Sequence, residues 1–268
     1  MELTLIKLGG SLITDKSTPY RSRKRVVRRL VQEIKQAIEI TPDLHLIIGN
    51  GSGSFAHTSA NKYNTGSGYT SKEGEYGFCF VQNDAIKINR ICVEIMLEQG
   101  LSCLGVSPNN IFICENNELK DFYIENIKVM LDRGIIPFVY GDTLLDTKKG
   151  SCIYSCDKVI SVLSKLLTKS SKYKIKRVIS VGDFDGVLDK DKKLVKYIDR
   201  NIYQDLIGSD AIKGSDKTDV TGGMKAKLDE LMKLAENNIE SIILNGKIKG
   251  NLFKALTEQE YDGTLISL

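Results

Sequence analysis

Leu3-Thr4-Leu5-Ile6-Lys7-Leu8-Gly9-Gly10-Ser11 is an apolar strand pattern that runs straight into a glycine pair, and Leu44–Ile48 runs likewise into Gly49-Asn50-Gly51-Ser52-Gly53-Ser54. Glycine lacks a Cβ, so such a turn can bend sharply and aim several backbone N–H groups at one anion. Two turns of this kind suggest two phosphate-binding walls. Lys7, Lys16 and His57 lie beside them and add two cations and a hydrogen-bond donor. Phosphoryl transfer needs positioning and fixed positive charge more than covalent help from the protein, and this grouping supplies both. A tight strand-to-helix connection explains one such turn alone; both turns together with Lys7 and His57 favour anion binding.

Around these turns, Ile/Val/Leu-rich runs alternate with longer amphipathic segments, the pattern of a mainly parallel sheet with helices on both faces. Strands are expected at Leu3–Leu8, Leu44–Ile48, Leu101–Val106, Ile135–Tyr140, Arg177–Val181 and Ser241–Leu244. Helices are expected at Val26–Ile38, Gly74–Gln99, Glu125–Arg133, Asp157–Leu167 and Gly222–Asn237, the last with Met224, Leu228, Leu231 and Ala235 as its buried stripe. Asp157 stands where an N-cap would, just ahead of Val159 and Ile160. The polar run Thr168–Lys176 suggests a boundary between lobes 1–170 and 171–268, while Asn61–Lys72 and Leu188–Asp219 read as loops or small hairpins.

The chain has 268 residues, 41% of them apolar, enough for a substantial core. A net charge of +4, from 38 basic and 34 acidic residues mixed along the chain, argues against a nucleic-acid binder. The one basic cluster, Arg21, Arg23, Lys24, Arg25, Arg28 and Arg29, reads as the solvated start of a helix. Six cysteines without paired spacing read as buried thiols in a reducing compartment. Glu2 and Lys7 interrupt what would be the apolar part of a signal peptide, and no run reaches the roughly 20 apolar residues of a membrane span. A soluble cytoplasmic protein is expected.

The second half adds Gly182-Asp183-Phe184-Asp185-Gly186 after a strand and Thr218-Asp219-Val220-Thr221-Gly222-Gly223-Met224-Lys225-Ala226-Lys227 leading into a helix. A glycine pair at a helix N-terminus is a natural anion site, with Lys227 one turn in, whereas Lys225 and Lys233 suit a solvated face. Asp157 and Asp183 could each orient a lysine, bind through a metal, or simply cap and turn the chain. His57 closes Gly53-Ser54-Phe55-Ala56-His57 at the edge of an anion-binding turn; His45, inside an apolar strand, reads as structural. Neither GxxxxGK[ST] nor a complete GxGxxG occurs, which disfavours P-loop and dinucleotide-binding enzymes.

These motifs, Lys7-Leu8-Gly9-Gly10-Ser11 with Lys16, the run ending at His57, Tyr140-Gly141-Asp142, Asp183-x-Asp185-Gly186 and the segment from Thr218 to Lys227, resemble the amino acid kinase superfamily, and within it the isopentenyl phosphate kinases. The likeness extends to Gly263-Thr264. It implies a three-layer αβα sandwich, an N-terminal lobe for the acceptor, a C-terminal lobe for ATP with Mg²⁺, and a homodimer. It assigns catalysis to Lys7, Lys16, His57, Asp157 and Lys227. The nucleotide side would use Lys7, Gly9, Gly10, Ser11, Gly53, Asp183, Gly223 and Lys227; the acceptor side would use Ser52, His57, Cys156, Phe80 and Asp84. The metal would be held by nucleotide oxygens and water rather than by a dedicated ligand cluster.

Three departures from that pattern matter. Ala56 and Ser52 are small replacements. Cys156 stands where relatives have glycine, and its side chain is expected to narrow the acceptor site. Asp84 falls among the apolar residues Tyr76, Phe80 and Ile88 of the helix that would hold a prenyl tail, and a buried unpaired carboxylate there is costly. Either Asp84 points away or the acceptor is not purely apolar. The implied activity is transfer of the ATP γ-phosphoryl to a phosphate monoester; the alternatives are a phosphonate (fosfomycin-type) kinase of the same fold and a non-catalytic nucleotide sensor.

Overall fold

The computed structural model describes residues 1–208 and 223–268. In chain order the elements are β1 (Glu2–Leu8), α1 (Gly10–Ile13), α2 (Lys24–Ile40), β2 (His45–Asn50), α3 (Ala56–Tyr63), α4 (Lys72–Glu98), β3 (Cys103–Gly105), β4 (Phe112–Glu115), β5 (Glu118–Phe122) and α5 (Glu125–Asp132). They continue with β6 (Ile136–Tyr140), β7 (Asp142–Asp146), β8 (Gly150–Tyr154), α6 (Cys156–Leu167), β9 (Lys174–Gly182), β10 (Tyr197–Ile198), α7 (Arg200–Gly208), α8 (Gly223–Ala235), β11 (Glu240–Asn245), α9 (Asn251–Leu256) and β12 (Gly263–Ile266).

The main sheet runs in the order β10-β12-β11-β9-β1-β2-β6-β3. From β11 to β3 every pairing is parallel; β12 lies antiparallel to β11. A parallel strand in mid-sheet is covered on both faces, which is why β1 is buried along nearly its whole length. Its residues divide by parity: Leu3 and Leu5 enter the core that α6 and α8 cover, and Ile6 and Leu8 enter the core that α2, α4 and α9 cover. The result is the expected three-layer αβα sandwich.

Local sequence explains the helices. In α2, Val27, Leu30, Val31, Ile34 and Ala37 recur on one buried stripe, so the arginines of the basic cluster lie away from the core. They are not simply solvated: Arg29 donates to the Gly246 carbonyl and to Glu33, and Arg23 to the Ser11 carbonyl at 3.1 Å. In α8, Leu228, Leu231 and Ala235 are buried as expected. Helix α6 begins one residue earlier than expected. Its N-cap is Ser155, whose hydroxyl accepts from the Lys158 N–H at 3.2 Å, so Asp157 is not the cap and its carboxylate is available elsewhere.

A smaller sheet, β5-β4-β7-β8, lies outside the expected pattern. Its β4–β5 hairpin turns at Asn116 and Asn117, both at positive φ (53° and 69°), the left-handed geometry that asparagine tolerates. Asp146 ties that turn down by accepting from the N–H groups of Asn116 and Asn117. Part of the expected loop 61–72 is helical, since α3 runs to Tyr63. The region from 188 onward contains a Leu188–Leu194 bridge, β10 and α7. All six cysteines are free thiols; five are buried and Cys79 is exposed. No helix among the described residues is long and apolar enough to cross a membrane.

Candidate active site

Because β9, β1 and β2 are parallel and adjacent, their C-terminal ends open at one edge of the sheet, the edge at which open α/β sheets bind ligands. Lys7 lies one residue before the end of β1, with Gly49 of β2 and Ser180 of β9 as its register neighbours. Its parity puts its side chain on the face covered by α6. There Asp157 meets it, with Lys7 Nζ 2.8 Å from Asp157 Oδ2. Lys7 is only 9% exposed. Burial pulls its pKa down, but the opposing influences, led by the Asp157 carboxylate, together raise it, so the ammonium stays charged. Asp157 shows the mirror effect: burial pushes its carboxyl up, and the Lys7 and Lys227 ammonium groups together hold it down at about 2.

Lys227 reaches the same place from α8. Its ammonium donates to the Ser180 hydroxyl at 3.4 Å and lies 4.7 Å from the centre of the Phe184 ring. Ser180 is the β9 neighbour of Lys7, so residues 7, 157 and 227 converge on one carboxylate flanked by two ammonium groups. Lys225, by contrast, is exposed and lies 3.7 Å from Asp229.

The two glycine turns pack against each other. A Cβ on Gly10 would come within 2.4 Å of the Gly53 nitrogen, and one on Gly51 within 2.7 Å of the Gly10 nitrogen. Gly53 is at φ +50°, and a Cβ there would overlap the Thr14 hydroxyl. Thr14 stitches the turns together: its Oγ1 donates to the Gly10 carbonyl at 2.7 Å and accepts from the Ser54 N–H at 3.0 Å. Gly9 N–H donates to the Val181 carbonyl, and Ser11 Oγ donates to Asp183 Oδ1 at 2.8 Å, so the first turn is also tied to the end of β9. Ser52 Oγ donates to the Gly141 carbonyl at 2.8 Å. His57 is half-buried in the first turn of α3, and its N–H donates to the Gly53 carbonyl.

Of the residues expected on the acceptor side, Phe80 is half-buried and packs against Tyr63 and Tyr76, with ring centroids 5.4 and 6.0 Å away. Asp84 is fully buried rather than turned out to solvent, and it is paired: Lys87, one turn along α4, donates to Oδ1 at 2.9 Å. That partner was readable from the i, i+3 spacing. Cys156 is buried too. Its sulfur covers Gly49, 2.7 Å from where a Cβ would stand, and burial pushes the thiol well above its ordinary value. Its side chain therefore fills the core between α6 and β2, and what it offers at the sheet edge is the N–H at the start of a helix.

Lys16 stands apart from this cluster. It is exposed on the hairpin after α1 and forms no ion pair among the described residues. Gly223 is the first residue of α8, while Thr218–Gly222 lie outside the described residues. Thr14 and Ser180, which organise the site, carry no sequence signal of their own.

Residues 2–245 match the model of the amino acid kinase family. The chain is 32% identical to the isopentenyl phosphate kinase of Methanocaldococcus jannaschii, covering 98% of each chain. It is 33% identical to that of Methanothermobacter thermautotrophicus, covering 99% of each. A crystal structure described as isopentenyl phosphate kinase superposes with a TM-score of 0.80 at 28% identity, covering 98% of this chain and all of that one.

Proposed function

The chain belongs to the amino acid kinase family, and from that premise we propose that it transfers the γ-phosphoryl group of ATP to isopentenyl phosphate, giving isopentenyl diphosphate and ADP. The observation that carries this reading is the pairing of Lys7 with Asp157 beside Lys227, at the sheet edge where the two glycine turns meet and His57 begins its helix. Relatives of that activity, similar over almost the whole chain, support the choice of acceptor.

Phosphoryl transfer spreads negative charge over the oxygens of the group in flight. Lys7 is held charged and aimed by Asp157, so it can bridge donor and acceptor phosphates without having to reorganise. Lys227 and Lys16 draw charge from the nucleotide side, with Gly9, Gly10, Ser11, Gly53, Asp183 and Gly223 lining the nucleotide's phosphates. His57 and Ser52 hold the acceptor phosphate. Cys156 contributes through its main chain, and Phe80 shapes the space for the prenyl tail. Asp84, neutralised by Lys87, flanks that space without leaving a bare charge in it. A phosphate monoester has its second pKa near about 6, so the attacking oxygen is already ionised near neutral pH and no side chain needs to act as base.

Residues 1–170 would carry the acceptor and 171–268 the ATP. Mg²⁺, when bound, shields the triphosphate charge; Ser11 and Asp183 offer hard oxygen donors of the kind it prefers, and they would hold it through water beside the nucleotide. A cytoplasmic homodimer completes the proposal.

Two measurements test it. Purified protein is given ATP with isopentenyl phosphate, dimethylallyl phosphate or fosfomycin, and ADP release is followed. Isopentenyl phosphate should be turned over and yield the diphosphate; release with fosfomycin alone, or tight ATP binding with no turnover, would refute the assignment. His57→Ala should lower kcat/KM for the acceptor on the order of 100-fold, as loss of one oriented donor to a charged transition state does.

A further inference from the structure

Lys16 rides on a hairpin whose internal bonds do not by themselves aim it. Thr14 and Ser22 form an isolated antiparallel bridge, and the Asp15 N–H donates to the Arg21 carbonyl at 2.8 Å. The Asp15 carboxylate folds the tip by accepting from Ser17 N–H at 3.0 Å and Ser17 Oγ at 2.7 Å. Arg23 fastens the base of the hairpin to the Ser11 carbonyl. Thr14 at the base of the hairpin already meets Ser54, and Tyr20 near the other end of the hairpin adds a second link to the same turn. Tyr20 donates its N–H to the Ser54 carbonyl at 3.2 Å and sets its ring edge-to-face with Phe55, centroids 5.8 Å apart. The Lys87 ammonium sits 6.0 Å from the centre of the same ring and is itself anchored to Asp84.

Two independent observations mark Tyr20 as more than a surface aromatic. Its φ is +59°, a left-handed backbone that a bulky residue rarely adopts. Such conformations persist where surrounding contacts over-determine them, and they cluster where geometry matters to function. Beside it, Asp84 is fully buried, yet its Oδ2 has no hydrogen-bond partner. Lys87 links the two, since its ammonium pairs with Asp84 and faces the Tyr20 ring, and burial with the Asp84 carboxylate pushes the Tyr20 phenol above its ordinary value. Ser54 and Phe55, the residues Tyr20 grips, lead directly into the helix that carries His57.

We propose that Tyr20, backed by Asp84 and Lys87 of α4, is a positioning residue that fixes the Lys16 hairpin relative to His57. One side chain thereby couples the cation on the nucleotide side to the donor on the acceptor side. The proposal rests on the role given to Lys16 above, so it is tested in a double-mutant cycle that separates the two.

Turnover of ATP with isopentenyl phosphate is measured for Lys16→Ala, Tyr20→Ala and the double variant, with thermal unfolding of each. Tyr20→Ala should lower kcat on the order of 10-fold, because a catalytic group is misplaced rather than removed. In the Lys16→Ala background the same change should have less than about a twofold further effect, since residues that act through one another are not additive. Tyr20→Phe should keep most of the activity, because the main-chain bond and both ring contacts remain. Losses that multiply in the double variant, or wild-type turnover in Tyr20→Ala, would overturn the proposal. Wild-type turnover in Lys16→Ala would instead refute the role of Lys16, and the coupling with it. Should Tyr20→Ala not fold, Tyr20→Leu, which removes the ring contacts but keeps apolar bulk, takes its place in the cycle with the same two outcomes.

Discussion

Lys7 can be buried as a cation because the half-buried Asp157 pairs with it. Breaking such a pair leaves an uncompensated charge, a loss of about 3–5 kcal/mol. Asp157→Asn should therefore lower the melting temperature and also change the pH dependence of activity. Without the carboxylate, burial becomes the dominant influence on Lys7 and its pKa falls below the ordinary 10.5, so the variant should lose turnover as pH rises through a range where the wild type is level. The stability difference between wild type and variant has a defined sign on the acid side. Asp157 titrates at about 2 in the folded protein against an ordinary 3.8, so its contribution is complete above about pH 4 and disappears as pH falls toward 2. Unfolding curves for both proteins across that interval check it; a constant difference would contradict the pairing. Cys156 makes a second test. Cys156→Gly removes a sulfur that fills the core over Gly49 and should cost about 1–3 kcal/mol, with kcat/KM for the acceptor changed by less than about threefold. A large gain in acceptor affinity would show that the side chain faces the substrate after all.

The glycine turns act as a pair of interlocked elements. Gly10→Ala would drive a methyl group into the main chain at Gly53, where no flexible side chain can yield, so the turns must separate. A drop in melting temperature of several degrees and raised KM for both substrates are expected, in line with overpacking penalties of about 1–3 kcal/mol. Thr14→Val keeps the shape but removes the acceptor for the buried Ser54 N–H, at about 1–3 kcal/mol. The long helices and central strands were legible in the sequence, since α2, α4, α6 and β1 each carry enough repeats of one period to be recognised. Strands β4, β5, β7 and β8 were not. They are four or five residues long, and β5 is exposed along most of its length, so no alternation announces it. The Asn116-Asn117 pair was the one local sign of their hairpin.

The main sheet does not break at the polar run 168–176. Strand β9 starts at Lys174 and inserts between β1 and β11, so both proposed lobes hang on one continuous hydrogen-bonded sheet. Scanning calorimetry should accordingly give a single cooperative transition, and two resolved transitions would show that the lobes unfold independently.

Local chemistry was enough to settle where strands meet glycine turns, which helix faces are apolar, and that Lys7 and His57 lie beside those turns. Those features depend on residues close together in the chain, whose geometry follows from the missing Cβ of glycine and from periods of 2 and 3.6. The partnership of Lys7 with Asp157, the arrival of Lys227 at Ser180 and the inward turn of Cys156 were decided by tertiary structure. Each depends on strand parity, parallel register and crossover connections that join residues as much as 150 positions apart, a distance over which a linear pattern of side chains carries no direction.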